Sequence, residues 1–302
     1  MINRLFAVAT RVTTMLLVCL GSAHAAERTL EGAFEPVVIS GTPQRVVVLD
    51  DSALDAALAV GVKPVGALAS RGGTDVPYYL KEKAGTVAIV GAVREPNLEA
   101  VLMLQPDLII ASSELPKAQY DRLKLIAPTV VPGTDVTQDW RKQLAFYGHA
   151  LNKDEESKQR IAEVEDRLAA LRERVSDAAH VSVIRWNAQG PFIMASHLFA
   201  GQMLDAVGFK PNELATQTRK PHTDILSLEN LGKADADWVF LATLNDDGRK
   251  ALEAAKQQPA FQRLGAVRND QVIPVDGDVW SSSSGYFAAQ HVLDDIEKVL
   301  KD

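Results

Sequence analysis

The sequence predicts an α/β protein of two similar lobes joined by one long helix, and three features of the 302-residue chain predict it. First, two phrases recur, in the same order in each half. Ala59-Val60-Gly61-Val62-Lys63-Pro64 returns as Ala206-Val207-Gly208-Phe209-Lys210-Pro211. Leu98-Glu99, seven residues, then Asp107 and Leu108-Ile109-Ile110-Ala111 returns as Leu228-Glu229, seven residues, then Asp237 and Trp238-Val239-Phe240-Leu241. So long a period excludes a solenoid or array; it indicates paired lobes, and paired lobes enclose a cleft. Second, short Val- and Ile-rich runs alternate with helical patterns, which argues for a mostly parallel sheet covered on both faces. Third, Asp154 to Val175 holds neither Gly nor Pro, and Ile161, Val164, Leu168, Leu171 and Val175 recur at spacings of three and four. That is one amphipathic helix of about 22 residues, about 33 Å long, belonging to neither repeat.

Taken in order, the chain begins with a leader. Arg4 and Arg11 precede or open a mostly apolar stretch, Val12 to Leu20, and Ala23-His24-Ala25 is an A-x-A cleavage site, so residues 1–25 read as a signal peptide. The apolar run is too short for a membrane span of about 20 residues. The sole cysteine, Cys19, lies in this leader after Val18, where a lipid-modified leader wants a small residue. The expectation is an exported, unanchored protein in a periplasm. Residues 26–146 form the N-terminal lobe, 147–176 the inter-lobe helix and 177–302 the C-terminal lobe.

In the first lobe Arg45 to Leu49 reads as a buried strand, followed by a helix capped at Ser52 and closed by Gly61. Strands follow at Val65 to Leu68, Val87 to Val90, Leu108 to Ala111 and Thr129 to Val131, with helices at 98–104 and 117–126. Asn152 is placed to cap the long helix. In the second lobe Val181 to Trp186, Phe192 to Ala195, 238–242 and 272–275 read as strands. Helices are expected at 200–207, 227–232, 247–256, 259–264 and 286–300.

Charge narrows the partners. Losing Arg4 and Arg11 leaves 30 basic against 39 acidic residues, a net charge of −9 for the mature chain. An acidic surface repels phosphate backbones, so no nucleic-acid partner is expected. An anionic ligand must then be held by clustered arginines. Enzyme signatures are missing: no G-x-S-x-G, no G-x-G-x-x-G, no phosphate loop, and six scattered histidines without metal spacing. No catalytic residue, metal ligand or cofactor is assigned.

In open α/β sheets ligands sit beyond the carboxyl ends of the strands. That position selects Asp50 and Asp51, Arg71, Arg94, Arg185 and Trp186, Asn245 and Trp280. Arginines there give bidentate bonds to carboxylates, and Trp186, Trp280 and Tyr286 supply flat apolar walls. Arg219, in the polar segment Ala215 to Thr223, is chosen on charge. Glu99 and Glu229 each open a short helix, where the helix dipole favours a carboxylate. As an equivalent pair they suit a partner with two basic pockets.

Several pieces together carry a family likeness: Thr42 to Leu49, Glu95-Pro96-Asn97-Leu98-Glu99, Gln105 to Ile110, Leu226-Ser227-Leu228-Glu229, and Trp280 with Gly285-Tyr286-Phe287-Ala288-Ala289. In these the chain, from about residue 30 to its end, resembles the class III periplasmic binding proteins for iron–siderophore complexes and cobalamin, most of all the ferric-citrate type. The resemblance implies two Rossmann-like lobes joined by a single long α-helix, with small closure motions. It implies a ferric siderophore as ligand, with iron held by its chelator. It also implies docking of Glu99 and Glu229 onto arginines of an inner-membrane ABC permease, and a monomer is expected. One departure from relatives is Gly91-Ala92-Val93-Arg94, where the loop arginine comes one position late. Cobalamin, haem (with Tyr78, Tyr79 or His197 as axial ligand) and an exported hydrolase with its site in the cleft remain alternatives.

Overall fold

The computed structural model describes residues 27–71, 73–175 and 179–300; the expected leader and Cys19 lie outside them. A hairpin opens the described chain, β1 (Glu27–Glu31) with β2 (Pro36–Ser40). Then come β3 (Val46–Leu49), α1 (Asp51–Ala59), β4 (Gly66–Ala69), β5 (Ala88–Ala92), β6 (Glu95–Pro96), α2 (Leu98–Met103), β7 (Leu108–Ala111) and β8 (Thr129–Val130). They build a six-stranded sheet in the order β6-β5-β4-β3-β7-β8, parallel except for β6. The order reverses between β3 and β7, which makes their carboxyl ends a topological switch point, where such sheets bind ligands. Every residue of β3, β4 and β7 is buried, as strands covered on both faces require.

Helix α3 (Trp140–Ala150) turns directly into the long helix α4 (Asp154–Arg172). The second sheet follows: β9 (His180–Asn187), β10 (Gly190–Ile193), helix α5 (Phe199–Val207), β11 (Lys210–Pro211), β12 (Trp238–Thr243) and β13 (Val272–Asp276). Its order is β10-β9-β12-β13, with β11 on β9 and only the β9–β10 hairpin antiparallel. Two helices close the chain, α6 (Gly277–Ser281) and α7 (Tyr286–Val299).

Both repeated phrases do the same work in each lobe. Gly61 and Gly208 take positive φ (81° and 105°) just past α1 and α5. The next amide returns five residues, Val62 N to Ala57 O at 2.8 Å and Phe209 N to Leu204 O at 3.0 Å. These are matching Schellman closures, for which glycine has no Cβ penalty. The repeated aspartates clamp the start of the neighbouring strand. Asp107 accepts from Gln44 N (2.7 Å) and Arg45 N (2.9 Å) ahead of β3, and Asp237 accepts from His180 N (2.8 Å) at the head of β9.

The long helix buries Val164, Leu168 and Leu171, the stripe the periodicity predicts. It packs on α1, α3, α5 and α7, and so touches both lobes. Two details differ from expectation. It ends at Arg172 rather than Val175, about 28 Å long at 1.5 Å per residue. Asn152 does not cap it: its φ of 59° makes the turn out of α3, its amide donates to Thr42 Oγ1 (2.7 Å), and Lys153 holds the cap position without a side-chain bond. Likewise Asp50, not Ser52, caps α1, accepting from Ala53 N at 3.0 Å.

One contact ties the lobes together at depth. Asp55 of α1 is 0% exposed and accepts from Phe287 N and Ala288 N, both 3.0 Å, at the first turn of α7. A carboxylate of the first lobe thus caps a helix of the second, satisfying donors that have no partner within their own helix. Gly285 permits the approach: its φ is 141°, and a Cβ there would lie 2.5 Å from Asp55 Cγ. Burial outweighs these bonds and pushes the Asp55 carboxyl up to about 7.

The sign of the pH effect follows. A folded-state pKa raised above the unfolded value gives stability that is complete below about pH 4 and lost as pH rises through 7. Chemical denaturation should therefore show stability declining over that window, and Asp55→Asn should make the decline shallower. Asp55→Ala should lower stability by about 2–5 kcal/mol, because two buried amides lose their acceptor. Identical pH slopes for the wild type and Asp55→Asn would contradict this role.

Candidate functional site

Four strand ends of the first lobe converge on one cavity. Asp50, Asp51 and Ser52 follow β3, Arg71 follows β4, Val93 and Arg94 lie in the β5–β6 turn, and Ser112 to Glu114 follow β7. Gln143 and Tyr147 of α3 line the same cavity. A second cavity shares Ser52, Glu114, Thr137, Gln143 and Ser282 with it and continues to His197, Phe199, Trp280 and Ser284 of the other lobe. The two form one groove between the lobes. Ser284 Oγ donates across it to Gln143 Oε1 at 3.0 Å.

Arg71 is exposed on the cavity wall and has no ion-pair partner among the described residues. Arg185, from the middle of β9 in the other lobe, is half-buried, and its Nε has no hydrogen-bond partner. Its guanidinium lies 4.4 Å from the Phe192 ring centre, and His222 stacks on the same ring at 4.2 Å. Burial, and after it the neighbouring Arg71 charge, push the Arg185 pKa down. Arg185 lines neither cavity, but it lies near enough to Arg71 of the other lobe for their like charges to interact.

Arg94 stands at the rim. The β5–β6 hairpin leaves only Val93 and Arg94 in its turn, and Arg94 adopts φ of 68°. Gly91 is required beside it, because a Cβ there would lie 2.4 Å from Glu95 O. Arg94 pairs with Glu114 at 2.6 Å with both side chains exposed, an interaction worth little on its own. The carboxylates are held differently. Burial, then Asp50 and Asp278, raise Asp51 to about 7, against a smaller opposing effect of Arg71. Burial also raises Asp50 and Asp278.

Several residues chosen from sequence sit elsewhere. Arg185 and Trp186 are consecutive in a strand and so point to opposite faces. Trp186, 2% exposed, packs into the second lobe's core edge-on to Phe261 and cannot wall the cleft. Tyr286, the first residue of α7, is tied to the long helix α4: its hydroxyl donates to Glu163 Oε2 (2.7 Å) under the Arg160 guanidinium. Trp280 borders the groove, but its ring stacks on Phe240 (4.3 Å) and Nε1 donates to Asp295 (2.9 Å). Arg219 is exposed and lines neither cavity. Asn245 caps the helix Asp246–Lys256. Of the haem-ligand candidates, Tyr78 is exposed away from the groove, Tyr79 is buried and only His197 lines it.

Helix α3, which is not among the helices expected from the sequence, floors the groove. The signal was present: Asp139 caps it, and Trp140, Leu144 and Tyr147 keep helical spacing. Glu99 and Glu229 are both exposed near the starts of equivalent short helices, α2 and the 3₁₀ turn Leu228–Ala234. Asn97 caps α2, accepting from Glu99 N and Ala100 N at 3.1 Å each.

Comparison with known proteins places this geometry. The model of the periplasmic binding protein family matches residues 46–279. A probable siderophore-binding lipoprotein of Bacillus subtilis, YfiY, is 35% identical over 270 residues, spanning 86% of this chain and 83% of the relative. The Fe(3+)-citrate-binding protein YfmC of the same organism is 31% identical, spanning 86% and 82%. The crystal structure of Staphylococcus aureus SirA complexed with staphyloferrin B superposes with a TM-score of 0.79 at 29% identity, over 90% of this chain and 97% of that one.

The placement of Tyr286 has a direct consequence. Tyr286→Phe should lower stability by about 1–3 kcal/mol, the usual worth of a hydrogen bond to a charged group, and leave affinity for ferric citrate unchanged. A variant of full stability with weakened binding would return Tyr286 to the ligand wall.

Proposed function

The chain belongs to the periplasmic binding protein family, and from that premise we propose that it captures a ferric siderophore, anionic and of the citrate or other carboxylate type, and delivers it to an inner-membrane ABC permease. As a family member it is a binding protein, not an enzyme. The observation that carries the ligand assignment is Arg71, exposed on the cavity wall without an ion-pair partner among the described residues, with Arg185 of the other lobe, its Nε unpaired, near enough for their charges to interact. Holding two cations close in a partly dry groove is unfavourable until an anion neutralises both. Planar carboxylates match the guanidinium fork bidentately. Arg94 at the rim adds a third, which can exchange Glu114 for the ligand. Two relatives named for siderophore or Fe(3+)-citrate binding support the same class.

The reading leaves iron to its chelator, with no resident cofactor, and the protein meets the chelator's oxygens. It places the protein in the periplasm, as a monomer. None of the described helices is long and apolar enough to cross a membrane. Glu99 and Glu229 serve as the docking pair for the permease, since each stands exposed at the same place in its lobe.

Titration of intrinsic tryptophan fluorescence with ferric citrate tests the ligand class. Saturable binding is expected, with Arg71→Ala and Arg185→Ala each weakening it at least about tenfold, the lower end for a charge-assisted bond. No response to any carboxylate chelate would refute the assignment. The double variant Glu99→Ala/Glu229→Ala should bind like the wild type but fail to support iron uptake by cells; normal uptake would remove the docking role.

A further inference from the structure

The groove is not chemically uniform along its length. Its first cavity, about 240 Å³, holds Arg71 and Arg94. Its second, about 350 Å³, has no lysine or arginine in its wall among the described residues. The one acid there, Glu114, stands where the two cavities meet and is paired with Arg94. Small-molecule sites usually offer about 300–1,000 Å³, so the cationic end alone is small for a bulky chelate. The larger share of the space lies where no guanidinium or ammonium group can meet a carboxylate.

What this wall offers instead is neutral hydrogen bonding from both lobes: the Gln138 amide on one side, the His197 ring and the Ser282 hydroxyl on the other. An independent feature points the same way. Trp140, the first residue of α3, is 1% exposed, borders this cavity, and its Nε1 has no hydrogen-bond partner. An indole N–H can only donate, and leaving it buried and unpaired is unfavourable. It calls for an acceptor oxygen. Arg141, whose guanidinium lies 4.8 Å from the Trp140 ring centre, does not border the cavity and is paired with Glu165. A carboxylate brought into this cavity would therefore lose water without gaining a cation, whereas a carbonyl oxygen loses far less.

We propose that the second cavity is a subsite for a neutral, carbonyl-bearing arm of the chelate, with Trp140 Nε1 as a donor to it, while the anionic head lies against Arg71. The inference rests on the carboxylate-siderophore reading of the cleft and narrows it. The natural guest is a carboxylate chelator extended by an amide arm, not a compact chelate that is anionic throughout. Discrimination then has two sources, attraction at the cationic end and the desolvation penalty that a second anionic group meets at the neutral end.

Calorimetry with four probes tests it: ferric citrate, and the ferric chelates of three citrate monoamides formed with glycinamide, glycine and isobutylamine. The three arms are close in size and end in a neutral carboxamide, a carboxylate and an apolar branch. The glycinamide chelate should bind at least about tenfold tighter than the glycine chelate, and tighter than the isobutyl one. Trp140→Phe, which removes the N–H and keeps a ring, should cut the glycinamide advantage over isobutyl by about fivefold, the worth of one neutral hydrogen bond. A glycine arm that binds as tightly as glycinamide overturns the neutral subsite, and so does an isobutyl arm that matches it. An advantage unchanged in Trp140→Phe overturns the indole's part in it. The wild-type comparison needs no variant, so a folding defect in Trp140→Phe does not blunt it. If ferric citrate binds and the arms make no difference, the subsite alone falls; if none of the four binds, the carboxylate reading fails first and takes the subsite with it.

Discussion

A buried carboxylate shared between lobes is the constraint on which the architecture depends. Asp55 sits within α1, yet the donors it satisfies are the first amides of α7, more than 230 residues later in the chain. Neither helix can shift without leaving a buried carboxyl and two buried N–H groups unpaired, which is unfavourable. The long helix α4 reinforces this. Arg160 Nε donates to Ala59 O of the first lobe (3.0 Å) while Glu163 holds Tyr286 of the second, and Arg167 pairs with Asp294 at 2.8 Å. Together they fix the two lobes on either side of the groove.

A groove fixed in this way is largely formed before any ligand arrives, which lowers the ordering cost of binding. It also explains a compromise in the sequence. Arg71 is held in the groove without an ion-pair partner among the described residues, beside carboxyls that burial raises, and a scaffold tied across the lobes keeps them in place. Such strain belongs where a ligand will relieve it.

The sequence foretold the scaffold better than the site. Its repeats were legible because their causes are local: a glycine with positive φ closing α1 and α5, and an aspartate clamping the head of the adjacent strand. The long amphipathic helix was legible through its spacing. The switch-point rule selected Asp50, Asp51, Arg71 and Arg94, all on the cavity. It failed where orientation depends on distant packing. Both Arg185 and Trp186 are selected as residues at the ligand end of the strand, but strand alternation puts the first against Phe192 and the second into the core. Tyr286 and Trp280 looked like aromatic walls, yet Glu163 and Asp295 claim their polar ends. Trp140, Gln143 and Tyr147 went unread because α3 precedes the long helix so closely that the pattern of the second obscured the first.

The central claim is that the lobes are locked through the Asp55 cap into a single unit around a formed cleft. Native-state hydrogen exchange at the Phe287 and Ala288 amides measures this most directly. The account predicts that both exchange only through global unfolding, as slowly as the amides of β3 and β7, with or without ligand. Exchange of these two amides through a local opening, at rates typical of the exposed ends of other helices, would contradict it.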